Sequence, residues 1–486
     1  MERVPGNFEQ NPKSPSLYYS KSLDVCIELH VDDGNATGPD QNLMDVFDKL
    51  SKVIVLKLSP LIREGQMYEH VGTLRVRTEH GMWIKSLDKY AERALEIMEM
   101  TCCNASPSPK LDKVHMDGDE EMYAEPEKFR SCVCTLLYLA KRRPDLQATL
   151  QWCCKRLTNP DVKAGRQLHK LLRYVKGTTE LSTFFPADGK VDRVEAYLDG
   201  DWGCDELDRK SVAGGLVMVA GCRVHSHSRC VGNALSSGES EIMSLSETLK
   251  ESMLIKYNLC FCGMGDLPLI LHTDASVARQ FAHRLGVGKM KHLDIRLWVQ
   301  TEMKKGTFTL RKIPRENNPS DSLTHSPSTS ELGKFLPMMG VFPQGCAVGA
   351  AELVKAVAGG GPKLAAMILA YMANGANGAE TIGTDTESHT WSSVALACMV
   401  IFAVTGMISS GMTLVKLLAK SLKKIKKDAS TQTDVEEPAI PVPLPPHNRP
   451  TKVYWTANGQ KYHLNQECWS IAGKQLGHGD LCNICR

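Results

Sequence analysis

RVEAYLDGDWGCDELDRKSVAGGLVMVAGCRVHSHS, residues 193–228, decides the fold class. Apolar residues recur with a period of two over RVEAYLDGDW, GGLVMVAG and CRVHSHS, so three strands are expected in succession. A helix is expected at about 238–262, then strand LPLILHTD (267–274), a helix, strand TFTLRKIP (307–314) and a short acidic turn. Three strands, helix, strand, helices, strand is an α/β order with a mixed sheet. Four acids stand out by position in it. Asp199 ends the strand EAYLD, Asp274 ends LILHTD, Glu241 starts the helix after LSSGES, and Asp321 begins a short helix after the last strand. Acids at strand ends and helix starts converge at one edge of a sheet. Packed together they repel and resist ionisation unless cations sit between them. Two Mg²⁺ ions, about 3.5–4 Å apart, are the usual arrangement for phosphodiester cleavage, and Mg²⁺ takes oxygen ligands, as an all-carboxylate set offers. With 55 Asp and Glu in the chain, spacing alone leaves a chance coincidence open.

Upstream, residues 1–20 carry Pro, Asn and Ser without periodicity, and LDVCIELHV (23–31) reads as a strand running into the turn Asp32-Asp33-Gly34. DQNLMDVFDKLSKVIVLKL (40–58) has helical spacing followed by a β-rich run, and MYEHVGTLRVRTEHGMWIKS (67–86) alternates around Glu-His-Gly as a hairpin does. Helical spacing returns at 86–100 and again from Phe129 to Val175, broken at Arg143-Pro144-Asp145. The last part, 155–176, is expected as a long basic helix, with seven Lys or Arg against one Asp.

The 486 residues suffice for roughly three domains. An apolar fraction of 42% and a charged fraction of 23% exclude a disordered or collagen-like chain and a pure coiled coil. Lys plus Arg number 58 against 55 acids, a net charge of +3, so attraction to nucleic acid must come from local charge. No secretory signal opens the sequence, and the 17 cysteines are scattered, which suits reduced thiols in the cytosol.

Downstream of 335 the strand pattern ends. Gly and Ala dominate 345–380, and Thr390–Val415 is 26 residues without a charge, long enough for one membrane span. Six Lys follow within 416–427, so the positive-inside rule places the C-terminal side in the cytoplasm. A buried core helix is the alternative, kept open by the Ser, Thr and Gly content. Residues 428–450 form a Pro-rich linker. His463, Cys468, Cys482 and Cys485 then give H-x4-C-x13-C-x2-C, a set suited to structural tetrahedral Zn²⁺. KVYWTANGQKYHL is expected to be a hairpin turning at Asn458-Gly459. His478 competes as a ligand, and free thiols or a disulfide are the other readings of this tail.

LRYVKGT (172–178), YLDGDWGCDELDRKSVAGG (197–215), LSSGESE (235–241), HTDASVA (272–278), KHLDIR (291–296) and IPRENNPSDSLTH (313–325) occur in that order. Together these six blocks resemble the ribonuclease H domain of copia-type LTR retrotransposon Pol polyproteins. The resemblance implies a ribonuclease H-like five-stranded sheet in which Asp199, Glu241, Asp274 and Asp321 bind two Mg²⁺ (or Mn²⁺) ions and are catalytic. Glu241 fits the family's helix start better than Glu239, and Asp201 is the second acid of its block. Many ribonucleases H place a His shortly before the last Asp; here the loop reads Pro314-Arg315-Glu316-Asn317-Asn318. His292 of the KHLDIR block reads as a packing or surface residue. The implied partner is an RNA/DNA hybrid, whose 2′-hydroxyls mark the strand to be cut. Lys289, Lys291, Arg296, Lys304, Lys305, Arg311, Lys312 and Arg315 are the candidate backbone-binding residues, with a solvated basic face as the alternative.

LHVDDGNATG (29–38) resembles the metal-binding turn of reverse transcriptases, with Asp32 and Asp33 as remnant Mg²⁺ ligands and His30 where Tyr is usual. The stretches YEHVGTLRVRTEHGMWIKSLDKYAERALEIM and FRSCVCTLLYLAKRRPDLQ are similar to the thumb and connection of the same polymerase. With 31 residues before Asp32, the earlier metal-binding Asp and the fingers are missing, so polymerase activity is not expected. The organisation expected is a truncated palm and thumb (1–120), connection helices (121–185), a ribonuclease H domain (190–335) and a Gly/Ala-rich linker (336–389). A transmembrane helix (390–415), a polybasic and Pro-rich linker (416–450) and a zinc-binding tail (451–486) complete it. The function expected is metal-dependent hydrolysis of the RNA strand of a hybrid by a single-pass membrane protein. The alternative is an inactive retroelement remnant serving as a membrane-anchored module for nucleic acid or an unknown partner protein.

Overall fold

The computed structural model describes residues 7–31, 33–111, 121–205, 208–284, 286, 297–344, 454–455, 461–463 and 480–481. The first sheet is antiparallel in the order β1-β2-β3-β4, from β1 (Glu9–Gln10), β2 (Leu17–Ser20), β3 (Val25–His30) and β4 (Asp33–Thr37). Helix α1 (Asp40–Ser51) covers it, setting Leu43, Val46 and Leu50 against Val25 and Ile27. The β-rich run after α1 does not become a strand. No described strand pairs with it, and Val53, Ile54, Val55 and Leu58 are exposed. β-propensity is expressed only where neighbouring strands and burial support it.

A second antiparallel sheet holds β5 (Met67–His70), β6 (Thr73–Thr78) and β7 (Gly81–Ser86), the last two joined at Glu79-His80 as the alternation predicts. After α2 (Lys89–Ile97) come α3 (Pro126–Ala140), α4 (Pro144–Cys154) and α5 (Val162–Lys176), then β8 (Leu181–Pro186), which pairs with β7. The basic helix is shorter than its charge pattern suggests. Pro160 cannot continue a helix from α4, and the Asp161 carboxylate accepts from Ala164 N to start α5 afresh. A buried lock joins these helices: Arg143 donates through Nε and Nη2 to Asp145, and Tyr174 Oη donates to the same carboxylate at 2.7 Å.

The expected mixed sheet follows, with β9 (Val194–Asp201), β10 (Ser211–Val219), β11 (Cys222–Gly232), α6 (Ser237–Leu259), β12 (Leu269–Thr273), α7 (Ser276–His283), α8 (Trp298–Lys304) and β13 (Thr309–Lys312). Its strand order is β11-β10-β9-β12-β13; β9 to β11 are antiparallel, and β12 runs parallel to both β9 and β13. Helix α9 (Thr329–Met338), started by the Ser328–Glu331 capping box, leads into β14 (Val341–Pro343). That strand returns to pair with β8, so the second sheet has the order β14-β8-β7-β6-β5.

Strand alternation gives the mixed sheet two buried faces. Val217 and Val219 of β10 pack with Ile242, Leu245 and Leu249 of α6. Leu216 and Met218 point the other way, into a core with Leu136, Leu146 and Leu168 of α3 to α5 and Phe342 of β14. The C-terminal unit is a three-stranded sheet by itself: β15 (Tyr454–Trp455) pairs antiparallel with β16 (Lys461–His463), and β17 (Asp480–Leu481) runs parallel to β16.

The expected transmembrane helix, and with it the single-pass membrane placement with a cytoplasmic tail, is corrected. Among the described residues no helix is long and apolar enough to cross a membrane, and 390–415 lies outside them. The longest described helix, α6, carries Glu239, Glu241, Glu247, Lys250, Glu251 and Lys256 along its length. Residues 390–415 carry no charge, but Ser392, Ser393, Thr405, Ser409, Ser410 and Thr413 stand on either side of the apolar run 394–404, which at 11 residues is shorter than a bilayer core needs.

Candidate active site at the carboxylate edge of the mixed sheet

Asp199 lies near the C-terminal end of β9, and Asp274 stands one residue beyond the parallel neighbour β12. Parallel strands end at the same edge, so the two carboxylates meet there. Glu241 arrives from the first turns of α6, which Ser236 caps by accepting from Glu239 N. Helix and strand come together closely because Gly200 has no side chain: a Cβ there would sit 2.7 Å from Ser240 O and 2.9 Å from Glu241 N. Ser244 Oγ fastens the contact by donating to Asp199 O at 2.7 Å. One carboxylate oxygen from each of Asp199, Glu241 and Asp274 then lies within 4.8 Å of the other two.

Asp199 is buried and accepts a hydrogen bond on Oδ2 from Thr324 Oγ1 at 2.8 Å. Burial, with smaller contributions from Asp321 and Asp274, pushes its carboxyl up to about 6, against the Thr324 hydrogen bond. Glu241 is pushed up to about 9, by burial first and then by the charges of Asp199 and Asp274. Glu241 Oε2 and Asp274 Oδ1 are buried without a hydrogen-bond partner among the described residues. Three converging carboxylates, two with orphaned oxygens, are a poor arrangement for an ion-free protein and a good one for a hard divalent cation.

Asp321 is close by but belongs to a neighbouring group with His325 and Glu331. Its Oδ1 accepts from Arg315 Nη2 at 3.2 Å and Nε at 3.3 Å, and its charge acts on Asp199. The sequence therefore has three of its four acids converging and the fourth adjacent. Glu239 is turned to another task, accepting from Leu235 N at 2.7 Å ahead of α6. Asp201 is half-buried and its carboxyl is raised, chiefly by burial. Arg315, Thr324, His325 and Glu331 complete the surroundings; of these, sequence reasoning singled out Arg315 alone, and only as a backbone-binding cation.

Lys304, Lys305, Arg311, Lys312 and Arg315 are exposed, whereas Lys289, Lys291, Arg296 and His292 lie outside the described residues. Asp33 begins β4 and is exposed, and Asp32 lies outside the described residues. His463 ends β16, while Cys468, His478, Cys482 and Cys485 of the expected zinc set lie outside as well.

No family model matches the chain. It is 27% identical over 332 residues to the retrovirus-related Pol polyprotein from transposon TNT 1-94 of Nicotiana tabacum, covering 64% of this chain and 24% of that protein. The corresponding polyprotein from transposon RE1 of Arabidopsis thaliana is 25% identical over 334 residues, covering 67% and 22%. An uncharacterized mitochondrial protein of Arabidopsis thaliana is 30% identical over 227 residues, covering 46% of this chain and 91% of that one. The chain thus spans about a quarter of the length of the Pol polyproteins it matches. Among solved structures, a foamy viral protease-reverse transcriptase in complex with double-stranded DNA aligns at TM-score 0.37 and 11% identity, covering 59% of this chain and 46% of that one. A compost-derived ribonuclease H1 aligns at TM-score 0.23 and 18% identity, covering 27% and 92%.

Proposed function

We propose, from the similarity of this chain to retrovirus-related Pol polyproteins, that its mixed sheet carries a metal-dependent nuclease that hydrolyses the RNA strand of RNA/DNA hybrids. The observation that carries the reading is the convergence of Asp199, Glu241 and Asp274 at one sheet edge, with Glu241 Oε2 and Asp274 Oδ1 unpartnered. Divalent ions bound there supply Lewis acidity at the phosphoryl oxygens and a water that ionises near neutral pH.

The chain's own groups do the holding. Asp199, oriented by Thr324, and Asp274 present oxygens from two rigid strand ends, and Glu241 adds a third from the helix. Asp321 joins the set when its Arg315 partner turns to a phosphate, a movement open to a side chain that is 75% exposed. Arg311 and Lys312, both exposed on the edge strand β13, give the sugar-phosphate backbone a sequence-independent track.

The test uses the full chain and a hybrid labelled on its RNA strand, with Mg²⁺, with Mn²⁺ and with EDTA. Metal-dependent cleavage of the RNA in the hybrid, absent for duplex RNA and lost by at least a hundredfold in Asp274→Asn, is the expected result. No cleavage by folded chain with either metal removes the nuclease reading. A second reading has one contact in its favour: Arg315 already occupies an Asp321 oxygen, as it would in a chain that binds hybrid without cutting it. Hybrid binding with no turnover in either metal, unchanged in Arg315→Ala, selects that reading.

A further inference from the structure

From residue 190 to residue 344, the large apolar side chains exposed among the described residues are Trp202 (48%), Leu235 (73%) and Val277 (41%). All three stand close to the carboxylates along the chain: Trp202 follows Asp199 by three positions, Val277 follows Asp274 by three, and Leu235 precedes Glu241 by six. Exposed apolar side chains scattered singly need no explanation, but their gathering around one site does. Trp202 and Leu235 are joined. The indole Nε1–H donates to Ala234 O at 2.8 Å, which ties the ring's polar edge to the residue before Leu235. Leu235 N in turn donates to Glu239 Oε2 at 2.7 Å, which fixes this loop to the start of α6. The ring is held by its edge, and much of its apolar surface remains open to solvent.

We infer that Trp202 and Leu235 form an apolar ledge that packs against the sugars and base edges of the bound RNA/DNA hybrid, beside the carboxylates. The inference rests on the nuclease reading for the identity of its occupant. In the strand order, β9 stands between β10 and β12, so the acids are central. The exposed cations Arg311 and Lys312 are on the β13 side, and Trp202 continues from the β9 end that pairs with β10. A duplex crossing this edge meets phosphate-binding charge on one flank and a flat apolar surface on the other. A hybrid suits the second flank, because its wide, shallow minor groove brings sugars and base edges within reach of a rigid ring. Contacts to the sugars tolerate any sequence, since every nucleotide of a strand carries the same sugar. Trp202 is on this view a positioning residue: it sets where the strand lies and takes no part in proton transfer.

The test measures binding of a fluorescent hybrid to the full chain by anisotropy, in Ca²⁺ and again in EDTA, so that binding is read without cleavage. Trp202→Ala is expected to raise Kd roughly tenfold while leaving the salt dependence of Kd unchanged, because no phosphate contact is lost. Trp202→Phe, which keeps an aromatic face but cannot donate to Ala234, is expected to restore most of the affinity. Leu235→Ala, at a position too exposed to endanger folding, is expected to weaken binding severalfold. If cleavage is observed, Trp202→Ala should raise KM with kcat nearly intact. Wild-type affinity in both Trp202→Ala and Leu235→Ala overturns the inference, as does a Trp202→Phe chain as weak as Trp202→Ala. A chain that never cleaves but loses hybrid affinity in Trp202→Ala would refute the nuclease reading and leave the ledge standing.

Discussion

Glu241 and Asp199 hold protons more tightly in the folded chain than an ordinary carboxyl does, the first up to about 9 and the second up to about 6. A group raised on folding contributes stability that is complete below its unfolded value and is lost as pH rises through its folded one. In metal-free buffer these two acids should therefore cost stability progressively from about pH 4 through pH 6 and on toward pH 9. Glu241→Gln removes the larger share. It is expected to melt above the wild type at pH 8 to 9 without metal, with the advantage shrinking as pH falls toward 4. Mg²⁺ takes the place of the proton, so its effect on the wild-type melting temperature should be larger at pH 9 than at pH 6. Melting scans at the two pH values, with and without Mg²⁺, check both statements; an Mg²⁺ effect independent of pH would mean that the carboxylates do not take up the ion. Their places at strand ends and a helix start drew attention to these acids, but it took the six ordered motif blocks to set them apart from the chain's other carboxylates. Thr324 and Arg315 were not legible in these roles. Thr324 reaches Asp199 across 125 positions of chain, and Arg315 pairs with Asp321 only because the loop after β13 folds back on itself.

Elements were legible where a period was sustained and obscure where partners decided the outcome. The strands β9, β10 and β11 and the helix α6 stand where the alternation and helical spacing put them. The run after α1 carries similar β-propensity and stays unpaired, while β8 and β14, which no sequence pattern singled out, form because each finds a partner. The junction between β9 and α6 depends on a close approach that no local pattern announced. In Asp199-Gly200-Asp201 the middle residue must lack a side chain, because Ser240 O and Glu241 N occupy the space a Cβ would need. Gly200→Ala should push the start of α6 off the strand, at an overpacking cost of about 1–3 kcal/mol. The same shift moves Glu241 away from Asp199 and Asp274, so metal affinity should fall beyond what the lost stability accounts for. Denaturant unfolding combined with Mg²⁺ titration separates the two effects. A Gly200→Ala chain with wild-type stability and metal affinity would show that helix and strand have slack at this point.

Over the whole molecule, the mixed sheet does not own both of its faces. One is closed by α6, within the stretch that the sequence marks as a ribonuclease H domain. The other is closed by α3, α4 and α5 from upstream, and by β14 from beyond residue 335. A boundary drawn from motif blocks cannot show this, because a strand buried on two faces has the same apolar run whether its second cover comes from near or far in the chain. The consequence is testable with a fragment of residues 190–335. It keeps all five strands and the carboxylates but uncovers Leu216, Met218 and Leu323, which are buried in the second core of the full chain. At roughly 1.5–3 kcal/mol for each side chain, these three alone put about 5–9 kcal/mol at stake, on the scale of a domain's whole stability of about 5–15 kcal/mol. The fragment should therefore bind a hydrophobic dye, lose a sharp melting transition and show little Mg²⁺ stabilisation, while the full chain melts cooperatively. Restoring residues 121–189 and 336–344 should bring the transition back, since the helices, β8 and β14 then return to that face. If the short fragment melts as sharply and as high as the longer one, the second core contributes packing without stability, and the mixed sheet folds independently of the helices α3 to α5 beside it.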